Sequence, residues 1–485
     1  MTVIQQMNPM MVSPESVGIS SALLEKILLE ISDQCVMNSM QILRHGKRCL
    51  RAFWRPYEPD CPHMMFSVSK MFVSLAVGFA ETEGQLRLDA PVYSFFPEYE
   101  SCIADPLMRE TKVVDLLTLR SGHNSCTLPL FRNADDGDWV KCYLSSHLTW
   151  RPGTRFQYNS GASYMLAAII RKISGLNVRE YLAPRLFMPL GIIPGIWECC
   201  PKGTNCGGWG LYLTTDDLAK CAELLLGGGV FHDRRVIPAE YLRRATSIQA
   251  ETADISVTPD GKCGYGYQFW MSRHGYRADG SGGQLILVLP EYDMAIITTG
   301  CMENTFKDII WNRLLPSVSR TALPENPDHL KSLETVVKNL SMPVMKDDFP
   351  SQNGAVHFYF ETNSAGIESC AIDFGDFDCA LTFRRAGGRI EQLRAGFGNF
   401  RTSIFQLNDN LPHPYAASAA WRDEHVLEIQ AFTTDGNYCD SWQIDFMDER
   451  TPIKYKNNGI QWPFRMPFSD LIIKRQKIIR ESTSK

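Results

Sequence analysis

The residues of this chain with the clearest chemical potential are Ser67 and Lys70, in the stretch HMMFSVSKMFVSLAVGFAETEG from His63 to Gly84. A serine hydroxyl becomes a nucleophile only when a base takes its proton, and a desolvated lysine with a lowered pKa can be that base. Phe72, Leu75, Ala76 and Phe79 recur at i, i+3, i+4 and i+7. That spacing predicts a helix from about Val68 to Glu83 that buries one face and stops at Gly84. Ser67 and Lys70 then share a face, and Ser67 sits at the helix N-terminus, where open N–H groups and the dipole favour a developing oxyanion. The same pattern also fits an N-cap serine and a lysine that snorkels to water. Ser-x-x-Lys occurs again at Ser482 to Lys485, in a polar tail.

Elements on either side must position these residues. Leu23, Leu24, Ile27, Leu28 and Ile31 repeat with helical spacing, so an amphipathic helix opens the chain. Two short strands are expected around the turn His45-Gly46-Lys47. GASYMLAAIIRKISG and TTDDLAKCAELLLGGG read as helices stopped by glycine. GQLILVLP and DMAIITTG read as strands flanking a turn at Glu291-Tyr292. This order suggests a mixed sheet packed by helices. The polar, proline-bearing SRTALPENPDHLKS places a boundary near residue 325, dividing the chain into domains 1–325 and 326–485. In the second, turn signals about every 8 to 12 residues between alternating strands predict an antiparallel β-barrel or sandwich filled by its own side chains.

At 485 residues the chain exceeds the usual limit of a single core, and 44% hydrophobic residues suffice for two. The formal net charge of -5 gives no basic surface for nucleic acid. No apolar run is long enough to span a bilayer. No signal-like amino terminus is evident, so a cytoplasmic location is expected. The 15 cysteines, with no C-x-x-C pair, are expected to be thiols without metal or disulfide roles. No G-x-S-x-G, H-E-x-x-H or G-x-x-x-x-G-K-[ST] occurs, which leaves α/β-hydrolase, zinc-protease and P-loop readings without anchors.

Four blocks in order carry a family resemblance: MFSVSKMFVSLAVGFAETEGQLRLDAPVYSFFPE, VVDLLTLRSGHNS, WRPGTRFQYNSGASYMLAAIIRKISG and GGWGLYLTTDDLAKCAELLLGGGVFHDRRVIPAEYL. They resemble the serine β-lactamase and penicillin-binding-protein superfamily, especially the branch of class C β-lactamases, carboxylesterases, D-aminopeptidases and nylon-oligomer amide hydrolases. The resemblance covers roughly residues 12 to 315. It implies an α/β (α+β) β-lactamase/transpeptidase-like domain, an antiparallel sheet with a helical subdomain, and no cofactor. It also implies Ser67 as nucleophile, Lys70 as its helix lysine and Tyr158 as the catalytic tyrosine. A phenol beside an ammonium group is expected to have a lowered pKa, and a Tyr158/Lys70 pair can carry a proton from Ser67 to the leaving group.

The chain departs from the family pattern in two places. Ser160 stands where Tyr-x-Asn has its asparagine. Ala278, Asp279 and Gly280 stand where Lys-Thr-Gly or His-x-Gly is usual, with Ser281 at the position of the second oxyanion N–H. An Asp279 charge there would disfavour substrates held by their carboxylate. Arg273, His274 and Arg277 are expected to be solvated turn residues, and His123 to be structural. The expected function is a hydrolase for a small ester or amide. The alternatives are a D-residue peptidase or β-lactamase and, in another class, a catalytically silent binding or regulatory protein.

Overall fold

The computed structural model describes residues 9–300, 305–346, 354–363, 366–406, 412–448, 450, 452–457 and 473–479. The second Ser-x-x-Lys lies outside them. The chain divides into two compact units, one of residues up to Phe53 together with Pro62–Leu340, the other of Trp54–Cys61 together with residues from Ser341 onward.

The first unit opens with helix α1, Ser21–Gln34, followed by strands β1, Met37–Arg44, and β2, Lys47–Phe53, around the expected turn. Strands β3, Trp270–Met271, β4, Tyr276–Gly280, β5, Gln284–Leu289, and β6, Met294–Gly300, complete one six-stranded sheet. Its order is β2-β1-β6-β5-β4-β3, and every pairing is antiparallel. β1, β5 and β6 are buried along their whole length; β5 accordingly reads as an apolar run with little alternation, whereas β1 also buries Asn38, Ser39, Gln41 and Arg44. The helical part between β2 and β3 contains α2, Ser69–Thr82, α3, Ser160–Ser174, and α4, Thr215–Leu226. The caps explain two of these ends. Asn159 accepts from the Gly161 N–H at the start of α3, and Gly175 closes it at φ 75°.

Helix α2 differs from its expected form. Every residue from Ser69 to Ala80 is buried, so it is a central helix enclosed on all sides, with α3 and β4 packed against it. Gly78 permits this closeness, because a Cβ there would come within 2.4 Å of the Tyr241 ring.

The domain boundary expected near residue 325 falls after Leu340 in the structure. Helix α5, Pro327–Asn339, is capped by Asn326 and packs on α1, burying Leu333. The prolines that read as a linker therefore stand just ahead of one more helix of the first unit.

The second unit is a β-rich half-barrel. Strands from Gly354–Phe360 to Ile390–Phe397 follow one another as antiparallel neighbours. Ile390–Phe397 then pairs in parallel with His413–Trp421, and antiparallel pairing continues through Val426–Thr433, Cys439–Asp445 and Ile453–Asn457. Phe358, Leu381, Phe383, Leu393, Trp421 and Trp442 occupy its core. The carboxylate of Asp440 is buried there and accepts from the hydroxyls of Tyr415 at 2.8 Å and Tyr455 at 2.7 Å.

Candidate active site

Ser67 lies on a single 3-10 turn, Phe66–Val68, directly before α2. Phe66 is held at φ 45°, a conformation that a bulky residue adopts only under strain and that recurs beside functional groups. Lys70 is on the first turn of α2 and is 1% exposed. Its Nζ donates to Ser67 Oγ at 3.0 Å, Ser160 Oγ at 3.0 Å and the Gly208 carbonyl at 2.8 Å. All three acceptors are neutral oxygens. Burial accordingly pulls the ammonium down to about 7, with the nearby Cys126 thiol acting in the opposite direction.

Tyr158 precedes α3 in an extended loop. Its hydroxyl is near enough to that of Ser67 for the serine to act on its pKa, and Lys70 Nζ lies 4.8 Å from the centre of its ring. The phenol was expected to have a lowered pKa, and the structure reverses that direction. Burial raises it, outweighing the lowering influence of Ser67, and Asp279 and Cys126 act in the same direction as burial. Tyr158 is therefore a neutral phenol at physiological pH, and Lys70 is the group poised to exchange a proton. Asn159 fixes the loop, since its Oδ1 also accepts from Thr127 N–H at 3.0 Å and Thr127 Oγ1 at 2.9 Å.

The end of β4 closes the other side. A Cβ on Gly280 would lie 2.5 Å from the Met65 carbonyl and 3.2 Å from the Val68 nitrogen, so only glycine lets this strand approach the Ser67 turn. Gln284 pins the turn that follows, donating to the carbonyls of Ser281 at 2.9 Å and Gly300 at 2.8 Å.

The charges on this strand differ from the sequence expectation. Arg277 is buried, 4% exposed, rather than solvated. It donates from Nε to Asp279 Oδ2 at 2.8 Å, and Lys307 approaches the same oxygen at 3.2 Å. Burial raises the Asp279 pKa, but Lys307 and Arg277 together hold it below the ordinary carboxylate range. With Arg273, Asp260 and Asp308 alongside, three cations meet three carboxylates and this corner carries no surplus charge. Arg273 pairs with Asp260 and Asp308, and His274 stands 3.7 Å from Glu291. His123 is buried between the hydroxyls of Ser121 at 3.0 Å and Ser146 at 2.8 Å, and burial lowers its pKa to about 4, the profile of a neutral structural histidine.

Four of the residues singled out in the sequence, Ser67, Lys70, Tyr158 and Ser160, thus converge on one point, with Gly280 against it. Gly208, Cys126, Trp270 and Lys307 were missed. Gly208 stands in the glycine-rich CGGWG, a signal that was present but had no partner assigned. The others carry no sequence signal, because only folding brings their chain segments to the site.

The pattern of the family described as Beta-lactamase matches residues 37–300. The chain belongs to the beta-lactamase family of serine hydrolases. The 6-aminohexanoate-dimer hydrolase of Paenarthrobacter ureafaciens is 26% identical over 289 residues, 55% of this chain and 72% of that protein. Esterase EstB of Burkholderia gladioli is 28% identical over 153 residues, 28% of this chain and 39% of that enzyme. A solved beta-lactamase candidate from Bacteroides dorei shares the fold at a TM-score of 0.50 and 15% identity, covering 66% of this chain and 100% of its own.

Proposed function

We propose that this chain hydrolyses a small ester or amide through an acyl-enzyme on Ser67. The observation that carries this reading is the buried Lys70 amine, 3.0 Å from Ser67 Oγ and ringed by neutral oxygens. In its neutral form the amine keeps two N–H groups for Gly208 and Ser160 and turns its lone pair to Ser67. The lone pair takes the hydroxyl proton as Oγ attacks the substrate carbonyl, and the C=O π electrons move onto oxygen. That oxyanion is received by the backbone N–H groups of Ser67 and Ser281, at the point where Gly280 brings strand and turn together. The oxyanion then re-forms the C=O bond as the bond to the leaving group breaks, Tyr158 donates its proton to that group, and the phenol regains one from the Lys70 ammonium. Water then attacks the ester on Ser67 by the reverse sequence and releases the acid.

The names of the relatives support hydrolysis of an ester or of a 6-aminohexanoate dimer. A penicillin belongs in the same assay, because membership of the beta-lactamase family leaves that substrate class open.

The test is intact-protein mass and turnover with p-nitrophenyl acetate, p-nitrophenyl butyrate and a penicillin, alongside labelling by a fluorophosphonate, in wild type and Ser67→Ala. Rapid modification of wild type alone is expected. The rate should climb through about pH 7 as Lys70 loses its proton, and Tyr158, held above its ordinary 10.0, should add no falling limb below that pH. Absence of labelling and turnover throughout would favour the silent binding protein.

A further inference from the structure

Tyr158 stands in a loop, yet its hydroxyl must stay on Ser67. Its ring stacks on Trp270 with centroids 5.8 Å apart and planes 14° from parallel. Trp270 is on β3, a two-residue strand whose sheet neighbour is β4, where it stands directly opposite Arg277. The Arg277 guanidinium lies 5.4 Å from the Trp270 ring centre, a cation–π pair across the ladder. Tyr265 and Phe156 meet the same indole edge-on, at 4.9 Å and 5.6 Å.

Arg277 is itself immobilised. Beyond its ion pair with Asp279 it donates to the Met271 carbonyl, to Ser272 Oγ at 2.8 Å and to the Asp260 carbonyl at 3.3 Å. A continuous set of contacts therefore runs from Asp279 through Arg277 and Trp270 to the tyrosine. It gives Ala278-Asp279-Gly280 a use that does not require the strand to touch substrate: Asp279 is the counter-ion that allows a guanidinium to be buried under the indole.

We propose that Trp270, held by Arg277, is a positioning residue that fixes the Tyr158 phenol over Ser67. The proposal rests on the reading of Ser67 as nucleophile and Tyr158 as proton relay. A side chain that acts through Tyr158 loses its effect when the phenol is gone, whereas one that merely supports the fold does not.

The experiment is the second-order rate of fluorophosphonate labelling in wild type, Trp270→Leu, Tyr158→Phe and the double variant, with melting temperatures alongside. Trp270→Leu should slow labelling about ten-fold or more, the scale of a misplaced proton-transfer group. In the Tyr158→Phe background the same change should cost no more than about two-fold. Trp270→Phe, which keeps an aromatic plane, should recover most of the rate. Should Trp270→Leu fail to fold, Arg277→Lys serves instead, because it keeps the charge but loses the planar fork over the indole. It should slow labelling only when Tyr158 is present. Equal losses in the two backgrounds would overturn the proposal while leaving Ser67 as nucleophile. Wild type that labels no faster than Ser67→Ala would remove the underlying reading and the proposal with it.

Discussion

Lys70→Ala is expected to abolish acylation of Ser67, lowering the labelling rate by about 10⁴-fold or more, the scale seen when one member of a catalytic unit is deleted. Among the described residues the lysine is the one group within hydrogen-bonding distance of Ser67 Oγ whose proton affinity lies near neutrality. Lys70→Met should lose as much activity while keeping more of the side-chain volume, which separates the missing base from a cavity.

Stability carries an independent signature of the same group. An unfolded lysine titrates near 10.4 and the folded one at about 7. Between those values the unfolded chain binds the extra proton, so folding is favoured increasingly as pH rises. Below about 7 both states are protonated and the slope vanishes. Wild type should therefore gain stability relative to Lys70→Met between about pH 7 and 10, by at most about 1.4 kcal/mol per pH unit. Chemical denaturation at several pH values reads this directly. A difference that stays flat would show that Lys70 is charged in the folded protein and is not the base.

Gly208→Ala is the second large expected effect. A methyl group at 208 would lie 2.9 Å from the Ser160 carbonyl oxygen, 3.1 Å from Ser160 Cβ and 3.4 Å from Lys70 Nζ. The first of these is a backbone atom at the start of α3 and cannot swing aside. Either the loop bearing the Gly208 carbonyl or the start of α3 must move, and both hold Lys70. Labelling should fall by about 10²-fold or more, since a shift of about 1 Å is enough to cost that much. Melting temperatures measured in parallel separate this from unfolding. A variant that labels at the wild-type rate would show that the Gly208 carbonyl does not set the position of the lysine.

Much of this site was legible before folding. The helical period placed Ser67 and Lys70 on one face, glycines marked the ends of α3 and α4, and the turn at Glu291-Tyr292 separated β5 from β6. These features are local, encoded in spacings of a few residues. The boundary near 325 was misplaced because a proline-rich approach to a helix looks like a linker until the apolar side of α5 is seen to have a surface to cover.

Chain sequence by itself determined that Ser67 and Lys70 stand together at the start of a helix and that the second unit is built of alternating strands, since each follows from side-chain type and period. Only tertiary structure decided the protonation states and the charge of the third motif. Lys70 falls to about 7 because distant segments bring it neutral oxygens and exclude water. Tyr158 remains a phenol because its burial outweighs the opposing influence of Ser67. Asp279 is silenced by Arg277 and by Lys307, 28 residues away. Desolvation and pairing depend on what surrounds a group in space, and no local spacing records that.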